Sequence, residues 1–177
     1  MERILKNTGR LSNLVGHILT LSKIENRSGA LERQLFRLDE QIRRAIVELE
    51  PKWSAKNCGL AVELPVILYD GNEGLLAQVW TNLLDNAIKF SPEGGTISVS
   101  AREEERRVLV SVGDQGPGVA EESLSHIFDK FYQGDTSHRA EGNGLGLALV
   151  REIAQVHGGK VSVENRDGAV FTVELAK

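Results

Sequence analysis

The chain holds one cysteine, Cys58, so neither a disulfide framework nor a thiolate metal cage can be assembled within it, and a reducing compartment is favoured. No apolar run approaches the ~20 residues that span a bilayer, and the opening Met1-Glu2-Arg3-Ile4-Leu5-Lys6 lacks the apolar core of a signal peptide. From both absences we expect a soluble, cytoplasmic chain. Charge of one sign is scarce too. The 21 basic and 25 acidic side chains leave a formal net charge of -4, which gives no general attraction to nucleic acid or anionic lipid. Binding of any polyanion must therefore be local.

What is present suits one well-buried α+β domain with a short appendage: 177 residues, 41% hydrophobic and 26% charged. Ile4, Leu11, Leu14, Val15, Ile18, Leu21 and Ile24 recur at threes and fours, which predicts an amphipathic helix over residues 2–25. Such a helix cannot bury its stripe alone and must dock on the domain or join a bundle. Beyond Asn26-Arg27-Ser28-Gly29, a short strand is expected at 36–38, with Asp39 as N-cap of a helix carrying Ile42, Ile46, Leu49 and Trp53. Residues 60–64 and 66–69 read as strands broken by Pro65, and 73–90 as a strong helix stopped by Ser91-Pro92-Glu93-Gly94-Gly95. A hairpin over 96–101 and 108–112 follows, then a short helix at 121–127, an aperiodic stretch at 133–142, a helix at 145–157, and strands at 160–164 and 170–175. Helices interleaved with hairpins imply a mixed, mostly antiparallel sheet with helices layered on one face.

Three constellations bear on chemistry. Asn82, Asn86 and Lys89 stand four and three apart on an otherwise apolar helix, so two amides and an ammonium share one face. An amide carbonyl is a hard ligand for magnesium and lysine supplies positive charge to phosphates; a solvated helix face is the plainer alternative. At the end of the second hairpin strand, Asp114-x-Gly116-x-Gly118 offers close backbone approach to a flat ligand, and a carboxylate that accepts from an exocyclic amine. Guanine presents a carbonyl there, so this arrangement selects adenine; an ordinary glycine turn competes as a reading. Gly142-Asn143-Gly144-Leu145-Gly146-Leu147 opens the later helix, where backbone N–H groups and the helix dipole make an anion site, or a simple helix cap. It lacks Gly-Lys-Ser/Thr, and no acidic residue follows a strand as a dinucleotide fingerprint requires.

The order of these motifs is more telling than any one of them. With Phe128-Asp129-Lys130-Phe131 and Gly168-Ala169-Val170-Phe171-Thr172 added, the chain resembles the sensor histidine kinase catalytic domain of the GHKL superfamily across roughly residues 36–177. The resemblance implies a two-layer α/β sandwich of Bergerat type that holds ATP and Mg2+ between the asparagine helix and a lid at 133–141. Carried onto matching positions, it implies that Asn86 coordinates magnesium, with Asn82 near the phosphates, Lys89 on phosphate and Phe90 beside the nucleoside. Asp114 would bind the adenine amine, helped by Thr172 through water, with Gly116 and Gly118 shaping the pocket. Phe128 and Phe131 would anchor the lid, while Gly142 and the segment Gly144, Leu145, Gly146, Leu147 would bring backbone N–H groups to phosphate. Gln133 stands where an arginine often follows the aromatic pair, so no phosphate-contacting cation is supplied at that point; Arg139 or His138 could substitute from within the expected lid, and both also read as solvated loop residues. Hydrolytic members of the superfamily place a glutamate at the position of Asn82 as general base; an amide cannot take up that proton.

Residues 1–28 resemble the second helix of the family's dimerisation and phosphotransfer hairpin, and 34–177 the ATP-binding domain. The acceptor motif, His-Glu/Asp followed by a basic residue and proline, does not occur in these 177 residues. His17 is expected at a bundle boundary and His126 on a helix surface. His157 is expected at a helix C-terminus with partial positive charge. The resemblance implies γ-phosphoryl transfer to a histidine on that hairpin, for relay to a response regulator, within a membrane-anchored homodimeric parent. A noncatalytic nucleotide-sensing module and an anti-sigma-type serine kinase stand as alternatives.

Overall fold

The computed structural model describes residues 2–26, 31–134 and 144–177, the side chains of residues 2–8 and 10 excepted. The elements run α1 (Glu2–Glu25), β1 (Gln34–Arg37), α2 (Leu38–Glu48), α3 (Glu50–Ala55), β2 (Gly59–Glu63), β3 (Leu68–Gly71), α4 (Glu73–Phe90), β4 (Thr96–Glu103), β5 (Arg107–Gly113), a 3-10 turn (Glu121–Ser123), α5 (Gly146–Val156), β6 (Lys160–Asn165) and β7 (Ala169–Ala176). A five-stranded sheet has the order β2-β4-β5-β7-β6, with β2 parallel to β4 and the other pairs antiparallel. This is the mixed, mostly antiparallel α+β arrangement that the sequence predicts.

Alternation decides which side of the sheet is covered. Ile97, Val99 and Ala101 of β4, Val108, Val110 and Val112 of β5, and Phe171, Val173 and Leu175 of β7 are all buried. Successive strand residues point to opposite faces, so these share one face, and Ser98, Ser100, Ser111 and Thr172 lie on the other. Helices α4 and α5 cover the apolar face with Leu76, Val79, Trp80, Leu83, Leu149 and Ile153, each fully buried. The small sheet of β1 and β3 stands apart, with Phe36 opposite Tyr69. Pro65 separates β2 from β3 so completely that they join different sheets.

Several sequence expectations are corrected. The N-cap of α2 is Arg37, not Asp39, which lies in the first turn and is buried. Its carboxylate accepts two bonds from the Arg37 guanidinium, at 2.7 and 2.9 Å, and one from the Ile67 N–H at 3.1 Å. The expected single helix through Trp53 is two, because Pro51 has no N–H to continue the ladder and stands in the first turn of α3. Residues 121–127 form one 3-10 turn followed by irregular turns rather than a helix.

Among the described side chains, helix α1 docks mainly through its C-terminal half, with Leu14 packed against the core. Leu21 and Ile24 are buried in the core, whereas Leu11, Val15, Ile18 and Leu19 remain 45–61% exposed. An ion pair between Glu25 and Lys130 ties the C-terminal end of α1 to the segment that precedes residues 133–141. His157, expected to carry positive character at the end of α5, is buried and differently employed. Its Nε2 accepts the Asn72 N–H at 3.1 Å, and Nδ1 therefore donates to the Ile153 carbonyl at 2.7 Å. Both bonds suit a neutral ring, and they join the end of α5 to the start of α4.

Candidate functional site

The asparagine helix owes its precise limits to its ends. Asn72 caps α4, its Oδ1 accepting the Leu75 N–H at 2.9 Å. At the other end the Lys56 ammonium donates to the carbonyls of Ile88, Lys89 and Ser91 at 2.7, 3.0 and 2.5 Å, neutralising acceptors that a helix terminus leaves without intrahelical partners. Leu76, Val79, Leu83, Ala87 and Ile88 face the core, so Asn82, Asn86 and Lys89 fall on the half-buried opposite stripe. The Lys89 ammonium lies over the Phe90 ring, 4.9 Å from its centroid.

The Asp114 turn meets the end of this helix. A β-carbon built on Gly116 would stand 2.4 Å from the Phe90 carbonyl oxygen, so only glycine permits the approach. Asp114 is 7% exposed, and its Oδ1 accepts the Gly116 N–H at 2.8 Å and the Ala169 N–H at 3.3 Å. Burial raises its pKa above the ordinary aspartate value, and those two N–H donors pull the other way without cancelling it. Gly118, at φ +75°, carries the chain out of the turn.

The third wall is the start of α5. The N-cap residue Leu145 has no capping side chain and no acidic residue occupies the first turn, so the positive field of the helix start is not neutralised by the described residues. A β-carbon on Gly146 would lie 2.7 Å from Asn82 Oδ1, which brings the two helices together at the polar stripe. The Asn82 amide donates to the Gln78 carbonyl at 2.7 Å, leaving its oxygen toward α5. Leu145 is buried and Leu147 half-buried.

Two assignments do not join this cluster. Thr172 lies on the sheet's open face, its hydroxyl 2.9 Å from that of Ser111, whereas Asp114 continues the register of Val112 on the covered face. The two side chains therefore lie on opposite faces of the sheet, and Ala169 is the β7 residue beside Asp114. Phe131 is 64% exposed, its ring outside the core of the described residues, and its N–H donates to the Gly144 carbonyl at 2.8 Å with φ +64°. Phe128 does pack inward, edge-on to Phe171 with centroids 6.2 Å apart. His126 is exposed and its Nδ1 lies 3.0 Å from Asp129. Gly142, Asn143, Arg139, His138 and residues 135–141 of the expected lid lie outside the described residues.

For magnesium, the donor chemistry fits a particular kind of site. Among the described residues no three His, Cys, Asp or Glu side chains are grouped, so an all-protein cage is not offered. Asp85, beside Asn86 in the chain, is paired with Lys52. The amide oxygen of Asn86 is a hard donor, which suits a cation that retains phosphate and water ligands.

The family model for Histidine kinase-, DNA gyrase B-, and HSP90-like ATPase matches residues 71–177. The chain belongs to this family. Histidine protein kinase DivJ of Caulobacter vibrioides is 35% identical over 177 residues, covering 98% of this chain and 30% of that protein. The structure of the Acinetobacter baumannii histidine kinase AdeS superposes with a TM-score of 0.84 at 25% identity, over 99% of this chain and 82% of that one. That of histidine kinase ThkA in complex with response regulator protein TrrA superposes with a TM-score of 0.78 at 31% identity, over 96% of this chain and 49% of that one. The chain spans less than half the length of the curated sensor proteins it matches.

Sequence reading missed Lys56, because a lysine three residues before a strand has no signature of the helix end it serves. It also missed Asn165, whose partner lies 46 residues away.

Proposed function

We propose that this chain is the phosphoryl-donating part of a sensor histidine kinase: it binds Mg-ATP and delivers the γ-phosphoryl group to a histidine on a dimerisation hairpin, for relay to a response regulator. The observation that carries the reading is the convergence of three elements, with the Gly116 turn against the end of α4 and Gly146 against Asn82. Residues 34–177 would be the nucleotide-binding unit and 1–28 the second hairpin helix, within a membrane-anchored homodimer whose catalytic part is cytoplasmic. Among the described residues no helix is long and apolar enough to cross a membrane.

In this scheme the Asp114 carboxylate accepts a hydrogen bond from the adenine 6-amino group, and the Gly116 backbone lies along the ring. Lys89 and the N–H groups of Gly144, Leu145, Gly146 and Leu147 hold the phosphates. Asn86 would hold Mg2+, which when bound supplies charge neutralisation to the phosphates. The acceptor imidazole nitrogen forms the new N–P bond as the bond from γ-phosphorus to the β,γ-bridging oxygen breaks, and ADP leaves with that electron pair. Asn82 has no basic lone pair to activate water, so ATP is held for the histidine rather than hydrolysed.

The test is to mix the chain with a separately produced hairpin bearing the acceptor histidine and labelled ATP. An acid-labile, alkali-stable phosphate on the hairpin is expected. ATP binding with no such transfer would instead support a nucleotide-sensing module.

A further inference from the structure

Asn165 closes β6, and its side chain turns back onto the glycine turn. Its Oδ1 accepts the Val119 N–H at 2.8 Å, and its Nδ2 donates to the Val119 carbonyl at 2.8 Å. One amide thus pairs with both backbone groups of a single residue, as a neighbouring strand would. Gly118, immediately before, leaves the room required: a β-carbon there would lie 2.7 Å from Asn165 Oδ1. The other end of the turn is tied to the same hairpin, since the Asp114 N–H donates to the Ala169 carbonyl at 3.0 Å. Residues 114–119 are therefore pinned at both ends to the β6–β7 hairpin, while their middle abuts the Phe90 carbonyl.

We propose that Asn165 is a positioning residue for purine recognition, clamping the 114–119 turn so that the Asp114 carboxylate and the Gly116 backbone keep one fixed separation from the end of α4. The proposal rests on the reading of Asp114 as the adenine acceptor. The clamp acts at the purine end alone, because Lys89 and the α5 N-terminus belong to other elements. Asn is required in both its halves: an aspartate at 165 still accepts from the Val119 N–H but sets a carboxylate oxygen against the Val119 carbonyl, and alanine loses both bonds.

Calorimetry on the 177-residue chain decides the matter, using Mg-ATP, Mg-GTP and displacement of ATP by inorganic tripolyphosphate. Asn165→Ala and Asn165→Asp are expected to weaken ATP by roughly fivefold to tenfold, the scale of one or two backbone hydrogen bonds. The preference for ATP over GTP should shrink by a similar factor, and tripolyphosphate affinity should not change. The position is exposed, so melting without nucleotide should shift by only a few degrees, and the isosteric aspartate form decides the question if the alanine form unfolds. Two results overturn the role of Asn165 alone: ATP and GTP weakened alike, or wild-type ATP binding in both variants while Asp114→Asn loses it. An Asp114→Asn form with unchanged affinity and unchanged preference overturns the purine reading and the clamp with it.

Discussion

Asn82 and Gly146 approach so closely that a β-carbon on the glycine would come within 2.7 Å of the asparagine Oδ1. Alanine ordinarily stabilises a helix by about 1 kcal/mol relative to glycine. Here it must displace an amide bonded to the Gln78 carbonyl, at a cost of about the same size. Gly146→Ala should therefore gain little or nothing in denaturant unfolding. Gly74→Ala in α4, where a β-carbon meets only Asn72 Oδ1 at 3.6 Å, should gain up to about 1 kcal/mol. Equal gains at both positions would mean that the two helices are not in contact at the polar stripe.

The Asp114 carboxyl predicts a trade between stability and binding. Burial raises its pKa, so the folded chain favours the protonated acid, and stability tied to this group falls as pH rises through the folded value. Adenine recognition needs the opposite form. ATP affinity should thus decline on acidification at a higher pH than an ordinary aspartate would dictate. Asp114→Asn should melt at or above the wild-type temperature while losing ATP. Calorimetric titrations across pH check the first expectation and thermal melts the second; a melting temperature well below wild type would contradict the assigned cost of burial.

Asp39 behaves in the reverse sense. The Arg37 guanidinium and the Ile67 N–H hold its carboxyl at about 2, against an ordinary 3.8. Its stabilisation is complete above the unfolded value and drains as pH falls through the folded one. The linked contribution at neutral pH is roughly 2 kcal/mol, and Asp39→Asn should lose much of it and flatten the acid limb between about pH 4 and 2. Urea unfolding at pH 7 and pH 3 would detect this; an identical difference between the two proteins at both pH values would refute it.

Lys56 stands outside every motif yet holds the end of α4. Lys56→Met should destabilise the fold by about 1–3 kcal/mol through three carbonyls left without their cation, and should loosen Lys89 and Phe90. ATP affinity should fall as well. A variant with wild-type melting would show that water replaces the ammonium without loss.

Legibility in the sequence followed the strength of local signals. The limits of α4 were readable because a 3.6-residue stripe, an N-cap and a Ser-Pro stop agree. The region 121–127 has apolar residues at helical spacing, yet tertiary placement of Phe128 against Phe171 wins over a helix too short to hold itself. Thr172 matches the motif, yet strand parity sets it on the face opposite Asp114. In Ala169-Val170-Phe171-Thr172-Val173-Glu174-Leu175, the buried residues are the odd ones, so alternation alone puts the hydroxyl on the open face with Glu174. Asp39 reads as a cap because a carboxylate near a helix start usually is one; its carboxylate is instead taken by Arg37, two residues before it, and by the N–H of Ile67, which is remote in sequence.

Strand β2 runs parallel to β4, and parallel neighbours cannot be joined by a hairpin; the chain between them must cross over the sheet. That crossover contains α4. The helix that carries Asn82, Asn86 and Lys89 is accordingly part of the sheet's own wiring, linked through β3 to the margin strand β2 and directly to the interior strand β4. Removing β2 from the ladder would slacken the support of Asn82, Asn86 and Lys89 at once, so native-state hydrogen exchange should find the amides of β2 and α4 opening together as one cooperative unit.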